Sequence, residues 1–277
     1  MEKLTELDQA LAQDYGNYAS YVTDVDPVLV ETYGDGPTEE VDRLLDMYAQ
    51  PNSHVLDLGC GSGFTLCRIA VKVSSIWGFD QDERLLNAAR LRAEDRGISN
   101  AKFVLGNAAL SSDADQLPEK FFDLVLSRRG PNVNAFIGKL KDEAFVIQEL
   151  FQGFLGLLEI FGRKSFLADL GDNPRWLIDE YSWLNLFPVS VKEYYFDTFF
   201  RNIDHLAAYL SQKTLLYNWP MPPMPYEEKR DRSALELYVR YNMTPKGIRL
   251  VNIRKIYVFR RTSVQYAPVD PSVKPDL

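Results

Sequence analysis

The sequence has little of what builds metal sites, disulfides or membrane spans. It holds two cysteines, Cys60 and Cys67, and two histidines, His54 and His205, in 277 residues. No Cys/His cluster of the zinc-binding kind can be drawn from them. Nor do the cysteines form a C-x-x-C pair, which points to a reduced, cytoplasmic protein. No run of about 18 apolar residues occurs, and no apolar stretch follows Met1-Glu2-Lys3-Leu4, so neither a membrane span nor a secretion signal is expected. Positive charge is also short: 31 Lys and Arg against 39 Asp and Glu give a net charge of −8. Such a surface repels phosphate backbones, which disfavours nucleic acid as a partner. A local basic patch of Arg249, Arg254, Lys255, Arg260 and Arg261 is the one feature that would argue otherwise. No internal repeat is visible.

Residues 55–63 read Val-Leu-Asp-Leu-Gly-Cys-Gly-Ser-Gly. An apolar run carrying one acid turns into three glycines at alternate positions. This is the pattern of a buried parallel strand ending in a loop that has shed its side chains, where a ligand can touch backbone. The segment behind it, Phe64–Val71, reads as a helix, so free N–H groups are expected to point into the same space. Ile76-Trp77-Gly78-Phe79-Asp80 reads as a second strand ending in an acid, 21 residues after Gly59. An acid there can accept both hydroxyls of a ribose, or it can cap the next helix. Together these residues point to a nucleoside-containing cofactor at the carboxyl edge of an α/β sheet.

A dinucleotide fold calls for G-x-G-x-x-G, yet position 64 is Phe64. The G-x-G-x-G spacing, with Asp57 two residues ahead, resembles motif I of the class I S-adenosylmethionine (SAM) dependent methyltransferases. Gly78-Phe79-Asp80-Gln81 is similar to that family's strand-two acid, and Gly106-Asn107-Ala108 to its adenine-contacting segment, where Asp is more usual than Asn107. Phe122–Ser127 resembles its fourth strand. The resemblance implies SAM as cofactor, held by Asp57, Gly59, Cys60, Gly61, Gly63, Asp80, Gln81, Asn107, Ala108 and Ser127. It implies Asp57 near the methionine amino group and Ser127 beside the reacting methyl.

The rest of the chain supports a doubly wound α/β fold, a seven-stranded and mostly parallel sheet of the Rossmann-like methyltransferase type. Residues 1–52 form an N-terminal helical or lid segment, with helices over 3–13 and 38–50 and irregular chain over 14–33. Strands are expected at 53–58, 74–80, 101–106, 121–127, 144–150, 189–198 and 247–261. Helices are expected at 63–72, 82–96, 131–140, 174–184 and 202–211, and a polar loop at 111–120. The core runs over 53–198 and closes with 247–263. Residues 199–246 read as an insertion or cap, and 264–277 as a disordered Pro-rich tail. The segment at 219–226 carries four prolines and excludes regular structure.

Ser127-Arg128-Arg129-Gly130-Pro131 puts two arginines at the carboxyl end of strand four, where they can hold an acceptor's carboxylate or phosphate, or pair with surface acids. Tyr18, in a segment resembling an N-terminal lid, and His205 are further acceptor candidates. His54 precedes the first strand, opposite the site, and reads as structural. Aromatic residues crowd 176–226; they either cap an apolar acceptor or pack the insertion. Several absences bear on the resemblance. No Asn-Pro-Pro-Tyr follows strand four, no cysteine follows strands four or five, no paired-glutamate loop is present, and no acid stands at Arg128. These argue against adenine-amine, cytosine-C5, protein-arginine and metal-dependent catechol methylation. The expected activity is methyl transfer to a small molecule, with no general base assigned. An RNA methyltransferase, a non-catalytic SAM-binding regulator and a NAD oxidoreductase are the rivals.

Overall fold

The computed structural model describes residues 27–34, 36–108, 110–128, 131–152, 156–161, 175–211 and 226–263. The helix expected over 3–13, Tyr18, Arg129 and the tail over 264–277 lie outside them. The chain divides into two compact units. Strands β6 (Leu140–Gln152), β7 (Leu186–Phe200) and β9 (Gly247–Arg261) each contribute residues to both.

The larger central run of the chain, residues 44–148 with 175–191 and 257–277, makes one unit. In it β2 (His54–Leu58), β3 (Ser75–Asp80), β4 (Ala101–Leu105) and β5 (Phe122–Arg128) join the shared strands in the order β7-β9-β6-β5-β2-β3-β4. The pairs β2–β3, β2–β5 and β3–β4 are parallel. Val55, Leu56 and Leu58 of β2 and Leu124, Val125 and Leu126 of β5 are wholly buried. Burial of consecutive residues means both sheet faces are covered, as a parallel sheet with crossover helices requires. Those helices are α2 (Phe64–Ala70), which buries Leu66, Cys67, Ile69 and Ala70, and α3 (Glu83–Asp95), which buries Leu86, Ala88, Ala89 and Ala93. Chain order reverses at β2, which has β3 on one flank and β5 on the other. The crevice beyond the carboxyl ends of β2 and β5 is therefore the switch point where α/β sheets bind ligands.

The second unit takes residues 1–43, 149–174 and 192–256. Its strands run β1-β7-β9-β6, where β1 is Leu29–Thr32, and β8 (Met243–Thr244) pairs with β9. Helices α7 (Ile203–Ser211) and α8 (Glu228–Asn242) supply Leu206, Leu210, Leu235 and Tyr238 to a core shared with Phe200, Tyr226, Ile248 and Leu250. Several of the clustered aromatics are thus packing residues.

Four expectations need correction. The described residues form nine strands where seven were expected. Leu29–Thr32 was expected to be irregular, but it pairs antiparallel with β7, from Leu29↔Phe199 to Thr32↔Phe196. So short a strand is decided by its partner. The expected helix over 131–140 is a 3-10 helix, Asn134–Lys139. The carbonyls of Gly138 and Lys139 accept the N–H groups of Lys120 and Phe121, at 2.9 and 2.8 Å, instead of continuing a helical ladder. The polar loop over 111–120 opens with one helical turn, α4 (Ser111–Ala114).

Candidate active site

Asp57 stands on β2 between Gly78 of β3 and Leu126 of β5, and is 2% exposed. Removal from water pushes its carboxyl up to about 7; nearby Arg128 opposes the shift and Asp80 adds to it. The chain then leaves β2 through Gly59, Gly61 and Gly63, all left-handed at φ 71, 54 and 78°. The loop is hooked to the end of β3. The Gly59 and Cys60 amides donate to Phe79 O at 2.8 and 3.3 Å, and the Gly61 amide donates to Asp80 Oδ2 at 2.8 Å. Gly63 N–H donates to Cys60 O at 3.0 Å. These four loop amides are spent inside the protein. What the loop offers instead is bare backbone: a side chain on Gly61 would meet nothing within 4 Å.

Asp80, the last residue of β3, is 8% exposed. Its Oδ1 accepts the Asp82 amide at 3.0 Å. The cap of α3 is Asp82, whose Oδ1 accepts the Arg84 amide at 2.9 Å, so Asp80 is not consumed as a helix cap. Two carboxylate oxygens offer about four acceptor positions. With two donors named here, Asp80 keeps capacity for hydroxyls. Gln81 follows it at the exposed surface. The Gly106 amide donates to Asp80 O at 3.0 Å, which ties the Asn107–Ala108 segment to the same edge. Asn107 is exposed, and its amide donates to Asp113 Oδ2 at 2.8 Å.

Cys60 is buried, and burial pushes its thiol well above the ordinary range, which removes nucleophilic character. A Cβ on Gly78 would lie 2.7 Å from both Cys60 Sγ and Leu66 Cδ1, so the strand-two glycine exists to let loop and helix approach.

Ser127, the penultimate residue of β5, is fully buried. Its hydroxyl donates to Pro131 O at 2.8 Å and accepts from Gln148 Nε2 at 3.2 Å. Gln148 Oε1 in turn accepts from Tyr181 OH at 3.1 Å, and Tyr181 OH accepts the Val133 amide at 3.1 Å. Tyr181 lies on α6 (Arg175–Ser182). The network pins the loop that leaves β5. Sequence reasoning missed Gln148 and Tyr181, because only the fold makes these partners neighbours. Arg128 Nη1 reaches Thr65 Oγ1, in the first turn of α2, at 3.3 Å.

The two histidines have local roles. His205 belongs to the other unit, where its Nδ1 accepts the Arg201 amide at 3.2 Å and its own amide donates to Asn202 Oδ1 at 2.8 Å. His54 lies at the amino end of β2, stacked on Phe121 at 4.2 Å, with its amide on Asp123 Oδ2 at 2.9 Å. No cluster of three or more His, Cys, Asp or Glu suited to a metal occurs among the described residues.

A parallel sheet with its switch point beside a glycine loop and a carboxylate at the end of β3 is the arrangement of an α/β fold that binds a nucleoside cofactor. The comparisons agree. Residues 49–158 match a family model described as a methyltransferase domain. No curated protein matches significantly. Three solved structures share the fold. A functionally unknown protein from Deinococcus radiodurans R1 is 16% identical, with TM-score 0.60 over 91% of this chain and 99% of that one. The YcgJ protein of Bacillus subtilis is 13% identical, with TM-score 0.55 over 82% of this chain and 100% of that one. A putative methyltransferase from Bacillus halodurans C-125 is 15% identical, with TM-score 0.53 over 81% of this chain and 100% of that one. Residues 49–158 thus match a methyltransferase domain, and the fold is one shared with a putative methyltransferase; together they support a SAM-dependent methyltransferase. The side-chain-free face at Gly61 and the acceptor capacity of Asp80 suit a nucleoside cofactor. No helix among the described residues is long and apolar enough to cross a membrane.

Proposed function

We propose that the chain methylates a small molecule, aromatic or anionic, in a reducing cytoplasmic setting. One observation supports the site assignment above all: the Gly61 amide donates to Asp80 Oδ2 at 2.8 Å, which ties the carboxylate we assign to the ribose to the bare loop. When bound, the cofactor supplies a sulfonium-activated methyl for in-line displacement, so alignment and exclusion of water are what the protein must add. Asp80 receives the ribose hydroxyls, with Gln81 alongside. Asp57 faces the methionine ammonium. Gly59, Cys60, Gly61 and Gly63 admit the cofactor to the backbone, and Asn107 and Ala108 border the adenine. Ser127 acts through the β5 loop, held by Gln148. Arg128, with Arg129, receives an anionic group of the acceptor.

The two buried, unlinked cysteines support a reducing compartment. The net charge of −8 supports a small molecule over nucleic acid. On this reading 53–198 and 247–263 form the core, 1–52 the lid segment and 199–246 the cap. Asp80→Ala tests the assignment. Titration with S-adenosylhomocysteine should show affinity weakened by about 1–3 kcal/mol, from lost charge-assisted hydrogen bonds. Unchanged affinity would remove the ribose role.

A further inference from the structure

We infer that Arg92 is a positioning residue for the cofactor, acting through the glycine loop that it holds. The inference rests on the cofactor reading above. Arg92 lies on α3 and is 3% exposed, although the positions around it that α3 buries are Leu86, Ala88, Ala89 and Ala93. Covering the sheet needs only an apolar residue there. A buried guanidinium is costly unless its donors are used. Arg92 Nε–H donates to Ser62 O at 2.9 Å, and its Cζ stands 3.7 Å from the centre of the Phe64 ring. That contact accounts for a phenylalanine left 41% exposed at the first position of α2. Between these two residues, Gly63 presses on the same helix: a Cβ there would lie 2.9 Å from that of Ala89.

Helix α3 therefore supports positions 62, 63 and 64 in succession, while Asp80 holds position 61. With the Gly59 and Cys60 amides on Phe79 O, the loop is held on both sides of the bare face of Gly61. Only arginine meets both demands, since a planar guanidinium can stack on a ring while its Nε donates in plane. Lysine keeps the charge but has no donor in that position. Misplacement of binding backbone by about 1 Å is enough to cost substantial affinity.

The test is calorimetric titration of the full chain with S-adenosylhomocysteine, well below the melting temperature, alongside thermal unfolding. Arg92→Met and Arg92→Lys should each weaken binding about tenfold or more, with stoichiometry unchanged. Phe64→Leu should weaken it less, and Phe64→Tyr, which keeps the ring, should restore it. In the Arg92→Met background, Phe64→Leu should add little, because the ring acts through the guanidinium. Parent-like affinity in Arg92→Met, whatever its melting temperature, overturns the inference and leaves Arg92 a packing residue. Full recovery by lysine overturns it too. Absence of binding by the unmodified chain would instead overturn the cofactor reading, and this inference with it.

Discussion

On the proposed reading, Asp57 couples acidity to cofactor binding. A carboxyl with no access to water keeps its proton up to about pH 7, whereas the unfolded chain releases it near about 3.9. Between those values the native state holds the extra proton. The contribution of this group to stability therefore falls as pH rises from about 4 to about 7 and is level above that. A bound ammonium reverses the preference by stabilising the ionised form. Affinity for S-adenosylhomocysteine should then rise with pH up to about 7, by at most about tenfold per unit, and flatten beyond. Calorimetry between pH 5 and 8 checks this, and Asp57→Asn should abolish the slope. A flat profile in the parent would move the ammonium away from Asp57. The positions of Asp57 and Asp80 were legible in the sequence, because strand ends and glycine spacing are local. The work of Arg92, Gly78 and Gln148 was not, because each acts on a partner distant in sequence.

At the scale of elements, the parallel strands were readable because burial on both faces leaves apolar runs such as Leu124–Leu126, and Val55–Leu58 broken only by Asp57. The 3-10 helix over Asn134–Lys139 was not, since carbonyls captured by residues 120 and 121 decided its winding. Strand β1 was invisible for a related reason: the backbone of β7 organises it. The chain of bonds from Val133 through Tyr181 and Gln148 to Ser127 joins α6, β6 and the end of β5, where Arg128 stands. Tyr181→Phe would strand the Val133 amide and Gln148 Oε1, both buried. Unfolding in urea should show a loss of about 1–3 kcal/mol. Affinity for S-adenosylhomocysteine should change less than in Asp80→Ala, the residue proposed to receive the ribose. A neutral Tyr181→Phe would mean that the network is not strained by losing its central hydroxyl.

For the molecule as a whole, charge and cofactor choice are the properties that separate the rival readings. Against a net charge of −8, the basic residues of β9 are the local patch considered for a phosphate backbone. Arg249 and Arg254 there are paired with Asp197 and Glu149, at 2.5 and 3.3 Å. Lys255 and Arg260 bond Glu193 and Glu143, the former at 2.8 Å. Retention on RNA should accordingly be weak and show little dependence on salt. Strong retention that falls steeply with salt would favour an RNA acceptor.

The central claim is that the Asp57–Gly63 loop and Asp80 serve SAM and not a dinucleotide. Separate calorimetric titrations of the full chain with S-adenosylhomocysteine and with NADH test it most directly. The expected result is micromolar binding of S-adenosylhomocysteine and none of NADH. Binding of NADH alone would contradict the account and return both aspartates to a dinucleotide site.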